Sequence, residues 1–111
     1  MDLLPPDGEL HCDDTFLDVF ALLGKRWTGL ILVILMQRPS RFAEIARSIP
    51  SLSDGMLSTR LGELADAGLI EREVLEGPPL GALYRLTPKG EALRPALEEL
   101  ARWGEQHLAP T

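Results

Sequence analysis

Gly24-Lys25-Arg26-Trp27, the apolar run that follows to Met36, and Arg41-Phe42-Ala43-Glu44-Ile45 decide how this chain folds. From Trp27 to Met36, Leu30, Ile31, Ile34 and Leu35 recur at helical spacing, and Leu32 and Val33 widen the stripe. That run reads as a deeply buried helix. Arg38-Pro39-Ser40 stops it, because proline cannot continue the hydrogen-bond ladder. Phe42 to Ile49 reads as a short helix with Phe42, Ile45, Ala46 and Ile49 inward, ended by Pro50. After a turn, Ser53 is a good N-cap for a further helix from Asp54 to Ala67. Its Leu57, Leu61 and Leu64 lie at i, i+4 and i+7 and face a core, and Gly68 stops it.

Outward from this centre, Asp13 or Asp14 can cap a first helix with Phe16, Val19, Phe20 and Leu23 on one face. Gly24 closes that helix with a left-handed residue. Downstream, Leu69–Leu75 and Ala82–Thr87 read as two strands around the turn-rich tip Glu76-Gly77-Pro78-Pro79-Leu80-Gly81. Thr87 and Pro88 then start a last helix running to about His107, with Leu93, Ala96, Leu97, Leu100 and Trp103 as its stripe. The division is a flexible N-terminal arm, 1–12, and one domain, 13–108. The fold class is mainly α with a small β-hairpin (α+β), a winged helix-turn-helix.

The middle helices and hairpin satisfy one another as a core with a wing. The first and last helices keep apolar faces that need a partner. A second copy is the simplest one, so a homodimer is expected through Phe16, Phe20, Leu97, Leu100 and Trp103.

The 111 residues suffice for one domain, and 45% are apolar. No run is long and apolar enough for a membrane span, and the acidic start does not resemble a signal peptide, which points to the cytoplasm. The single cysteine excludes an internal disulfide, and no Cys/His spacing suits zinc, so neither a metal nor a cofactor is expected. Net charge is −6, unusual for a nucleic-acid binder, but it is unevenly spread. Residues 25–60 carry six bases against two acids, whereas residues 1–18 carry six acids and no base. The positive block coincides with the helix-turn-helix.

Major-groove reading needs side chains at the leading end of the fourth helix. Ser53, Asp54, Met56, Ser58 and Thr59 stand there, while Arg41, Arg60, Arg72 and Arg85 suit phosphate. The wing tip has no Lys or Arg between Glu76 and Leu83, so the grip of each subunit is expected to be modest. The expected partner is double-stranded DNA with a palindromic operator, read by a dimer.

The same residues resemble the HxlR-type branch of the MarR-like winged helix regulators. Leu23-Gly24-Lys25-Arg26-Trp27 is similar to the start of that family's second helix, and Arg41-Phe42-Ala43-Glu44-Ile45 to its RF-x-E-[LI] element. Met56–Leu64 with Gly68-Leu69-Ile70-Glu71-Arg72 resembles its recognition helix and first wing strand. Tyr84-Arg85-Leu86-Thr87-Pro88-Lys89-Gly90 resembles its Y-x-LT-x-x-G segment. Gly55, where the family commonly has Lys, and the wing tip depart from the pattern. The resemblance covers about residues 12–104 and implies a homodimeric transcription regulator, most often a repressor.

Some members of that family sense thiol chemistry through a Cys just before the first helix, and Cys12 is similarly placed. A helix N-terminus and a protonated His11 favour thiolate, whereas Asp13 and Asp14 oppose it. An oxidant or electrophile acting at Cys12 is therefore one expected effector. A small apolar ligand among Phe16, Phe20, Trp27 and Trp103 is another. The acidic charge and wing tip also leave open a winged helix that binds protein instead of DNA. An enzyme is not expected, because His11, His107 and Cys12 form no catalytic set and no paired carboxylates stand out.

Overall fold

The computed structural model describes Gly8 and residues 10–108. Most of the expected arm, 1–12, therefore lies outside the described residues. The elements in order are α1 (Asp14–Leu23), α2 (Thr28–Gln37), α3 (Phe42–Ser48), α4 (Asp54–Asp66), β1 (Ile70–Leu75), β2 (Gly81–Leu86), α5 (Pro88–Glu91) and α6 (Arg94–His107). This is a winged helix-turn-helix, with α3 and α4 as the helix pair and β1–β2 as the wing.

The leucine spacing read from α4 sets the core. Leu57 and Leu64 are fully buried together with Ile31 and Leu32 of α2 and Ile45 of α3. Leu35, Ile49, Leu52, Leu61, Leu69 and Ile70 complete one cluster. The strands pair antiparallel, Ile70 opposite Leu86 and Arg72 opposite Tyr84. Ser40 adds a bridge to the wing, exchanging backbone hydrogen bonds of 2.9 and 2.8 Å with Tyr84. The α2–α3 link and the wing are thereby one unit.

Gly68 is left-handed, φ +78°, and turns the chain from α4 into the wing. Thr87 caps α5 by accepting from the Gly90 N–H at 3.2 Å, and its hydroxyl donates to the Gly68 carbonyl at 2.6 Å. This draws Gly90 against the start of β1, where an added Cβ would sit 2.1 Å from the Leu69 carbonyl oxygen.

Four expectations need correction. The last helix is not continuous: a turn at Ala92 and Leu93 separates α5 from α6. Pro95 is the cause, since it cannot donate to the Glu91 carbonyl and its ring would strike that oxygen. Gly24 is right-handed (φ −77°), and Trp27 is the left-handed residue of the link, φ +80°. Trp27 accordingly stands before α2 as its N-cap instead of inside it. Finally, α2 is buried on one side only, leaving Leu30 and Val33 exposed.

Among the described residues no single helix is long and apolar enough to cross a membrane; α1 and α2 qualify only as a pair bent by 75°. Of that pair α2 is a core helix, carrying the fully buried Ile31 and Leu32.

Replacing Leu64 by Ala should cost about 2–5 kcal/mol of stability, as a cavity opens at a fully buried site. Gly90→Ala should cost about 1–3 kcal/mol by overpacking against the Leu69 carbonyl. Denaturant midpoints of the two variants measure both effects. A Gly90→Ala protein as stable as the parent would contradict the close packing of α5 on β1.

Candidate nucleic-acid interface

The leading end of α4 is built by one cap. Ser53 is extended, and its hydroxyl accepts from the Met56 N–H at 3.1 Å. With the leucine edge buried, Ser53, Asp54, Met56, Ser58 and Thr59 are all exposed. Asp54 lies in the first turn, where a carboxylate suits the positive end of the helix. Thr59 donates to the Gly55 carbonyl at 3.0 Å, which leaves its oxygen free to accept. Met56 points outward, an apolar group available to a thymine methyl.

The arginines divide into two groups. Arg60, expected at phosphate, is turned inward: its side chain is 16% exposed, and its guanidinium donates to the Arg26 carbonyl and to Glu63 at 3.1 and 2.7 Å. Arg85 is paired across the wing with Glu73, its near-opposite neighbour. Arg72 is exposed and has no carboxylate partner among the described residues. Arg41 reaches from the start of α3 to the Leu80 carbonyl at 3.4 Å. The wing tip, without a base in its own sequence, therefore has one supplied from α3. Arg41 and Arg72 line the same cleft of about 420 Å³ between α3 and the wing.

Sequence reasoning omitted Arg47 from the site. It is exposed in the last turn of α3, ahead of the turn to Ser53, with no carboxylate within ion-pair distance among the described residues. Its position in the basic block was the available signal.

Glu44 explains the RF-x-E element physically. Its carboxylate accepts the Arg41 backbone N–H at 2.9 Å and the Arg38 guanidinium at 2.6 Å. The Arg41 N–H, and after it Arg38, hold this carboxyl below the usual glutamate range. Glu44 thus fixes the start of α3 and the backbone that carries Arg41.

The terminal helices carry the faces expected to meet a partner. On α1 Phe20 is 63% exposed and stacks beside Phe16, with ring centres 6.5 Å apart. On α6 Leu100 and Trp103 are 60% and 53% exposed, while Leu97 is half-buried against the core. A cleft of about 280 Å³ between α2 and α6 is lined by Val33, Met36, Leu97 and Ala101. It includes none of the aromatic residues expected to hold an apolar ligand. Cys12 is exposed, immediately before the α1 cap Asp13, and its sulfur lies 3.8 Å from the Asp13 carbonyl. Among the described residues no group of His, Cys, Asp and Glu is placed to hold a metal ion.

Comparison with known proteins agrees with this geometry. The sequence model described as HxlR-like helix-turn-helix matches residues 22–111. The HTH-type transcriptional regulator YodB of Bacillus subtilis is 46% identical over 91 residues, covering 82% of this chain and 81% of YodB. The solved reduced form of YodB superposes with a TM-score of 0.77 at 42% identity, over 92% of this chain and 99% of that one. YodB has also been solved quinone-bound and diamide-treated. The redox regulator HypR in its reduced form gives a TM-score of 0.78 at 30% identity, over 83% of this chain and 91% of that one.

A pH dependence follows from the carboxylates held low. Glu44, through the Arg41 N–H and Arg38, and Glu63, through Lys25 and Arg60, bind protons less readily folded than unfolded. Their stabilisation is complete above the ordinary glutamate value of about 4.3 and is lost as pH falls through the lower folded values. Urea midpoints should therefore fall on acidification in that range, less steeply in Glu44→Gln and less steeply in high salt. An identical acid slope in parent and variant would contradict the role given to Glu44.

Proposed function

We propose that this chain, which belongs to the HxlR-like helix-turn-helix family of transcription regulators, binds a palindromic DNA operator as a homodimer and represses transcription. The family consists of regulators, not enzymes, and its helix-turn-helix is a DNA-binding device. The observation that carries the finer reading is the pairing of two features. The leading end of α4 is exposed, capped and polar, and Phe20 of α1 and Leu100 and Trp103 of α6 stay exposed among the described residues. One dimer answers both, because a two-fold axis through the terminal helices presents two α4 helices together.

In this reading Ser53, Met56, Ser58 and Thr59 face base edges, with Asp54 beside them. Arg41, Arg47 and Arg72 hold phosphates: they stand at α3 and on the wing, and none of the three has a carboxylate partner among the described residues. Phe16, Phe20, Leu97, Leu100 and Trp103 meet the second copy, joined by Val33, which lines one cleft with Leu97, and by Leu30, exposed on the same helix.

A second reading concerns control, and it is favoured by the exposure of Cys12 beside the α1 cap. YodB, the relative solved quinone-bound and diamide-treated, supports a thiol-reactive effector here as well. The Cys12 thiolate adds to a quinone, or two Cys12 thiols of a dimer lose two hydrogens to diamide and join. Either change at the start of α1 alters how the two copies sit.

Sedimentation at micromolar concentration should give a dimer, and Phe20→Glu with Leu100→Glu a monomer with helical content retained. The parent should retard duplex from its own upstream region. Its affinity should fall about a hundredfold between roughly 50 and 200 mM salt if about four phosphates are contacted. No retardation at low salt would favour the protein-binding alternative. Under diamide the parent should release DNA and Cys12→Ser should not; equal release by both would remove Cys12 as the sensor.

A further inference from the structure

Arg60 stands one turn into α4, where a groove-facing or phosphate-facing side chain is expected, yet it is turned inward. Its Nε donates to the Arg26 carbonyl at 3.1 Å, and its Nη1 donates to Glu63 at 2.7 Å. The other Glu63 oxygen accepts from Lys25. These three side chains tie α4 to both charged residues of the link 24–27, which joins α1 to α2.

That link has unusual geometry. Trp27 is a bulky residue at φ +80°, a conformation non-glycine residues seldom adopt and one that persists only when its surroundings hold it. The Arg26 guanidinium lies 4.4 Å from the centre of the Trp27 ring, and the Thr28 N–H donates to the Lys25 carbonyl at 3.3 Å. The link turns the chain by 75° between α1 and α2. No residue of α1 is fully buried, and α1 meets the core through Leu22 and Leu23 of its last turn. The direction of α1 is therefore governed by the link, and the link is held by α4.

We propose that Arg60 and Glu63 are positioning residues that lock the α1–α2 link to the recognition helix. They fix the angle between α1 and α4, and through it the separation of the two recognition helices in a dimer. The proposal rests on the dimeric reading given above for its consequence on DNA, but not for the lock itself. Lys25 and Arg60 hold the Glu63 carboxyl below the usual glutamate range, so it stays charged at neutral pH. A change at the start of α1 has, in this arrangement, a direct mechanical route to α4.

The lock is measured without DNA. In the full chain carrying Cys12→Ser, nitroxide labels on Asp18→Cys and Ser58→Cys report the α1–α4 distance by pulsed dipolar spectroscopy. An excess of unlabelled chain isolates the intrachain pair. One narrow distance is expected, and Arg60→Leu or Glu63→Gln should broaden or shift it while circular dichroism keeps the helical signal. If Arg60→Leu fails to fold, Arg60→Lys decides: it keeps a charge for phosphate but cannot bond Arg26 and Glu63 with one planar fork.

On DNA, the locked parent should prefer one half-site separation. The variants should lose that preference, binding operators lengthened or shortened by a base pair nearly as well as the original. An unchanged distance in folded Arg60→Lys would overturn the proposal. So would a uniform loss of affinity at every spacing with a salt slope reduced by about one, the signature of a lost phosphate contact. A parent that is monomeric or ignores DNA, yet shows the narrow distance and its loss in the variants, would sink the dimeric reading and leave the lock standing.

Discussion

The buried leucine edge of α4 is the constraint on which the rest depends. Leu57 and Leu64 are wholly enclosed and Leu61 nearly so. Each contributes about 1.5–3 kcal/mol by leaving water, more than any exposed contact of this helix supplies. Once that edge is fixed, rotation about the helix axis is fixed with it. Ser58 and Thr59 must then point outward, and Ser53 must stand at the exposed leading end. The Ser53 cap and left-handed Gly68 set where the helix begins and stops, so its position along its axis is determined too. The exposed polar face of α4 is thus a by-product of core packing.

Charge is arranged around this helix in a way that net charge conceals. Three carboxylates of the winged core are occupied by cations: Glu44 by Arg38, Glu63 by Lys25 and Arg60, and Glu73 by Arg85. The cations that remain without such partners among the described residues are the ones a phosphate can still attract. Lys89 is occupied differently, donating to the Ala67 carbonyl at the C-terminal end of α4. The result is a small positive surface on a chain whose total is −6. A surface of that size gives each protomer limited grip, and doubling it is the straightforward remedy.

The parts of the fold legible in the sequence were those governed by local rules. The Leu57, Leu61, Leu64 spacing, the Ser53 and Thr87 caps and the turn-rich wing tip each act within a few residues. Pro95 was equally local, yet a stripe of apolar residues on both sides of it reads as one helix until the missing N–H is counted. The departures at Arg60 and Arg85 were of another kind. A long guanidinium goes where its partners are, and besides the nearby Glu63 those partners are Arg26, 34 residues away, and Glu73, 12 residues away. Trp27 shows the same limit for the backbone: glycine was the natural candidate for the left-handed residue, but the link is held by side chains of α4. The exposed half of α2 was hidden because an all-apolar helix looks buried on every side, and only its neighbours reveal which side is left open. These are properties of tertiary context, and they fall mostly where the chain is expected to meet something else.

A hydroxyl-radical footprint of the unmodified protein on its own upstream DNA reads the placement of the paired α4 helices. Two helices carried on a two-fold axis should protect two patches of backbone related by a dyad, their centres about 10 base pairs apart or a multiple of that turn. A single patch without symmetry, or uniform protection that follows total charge and not sequence, would contradict the account.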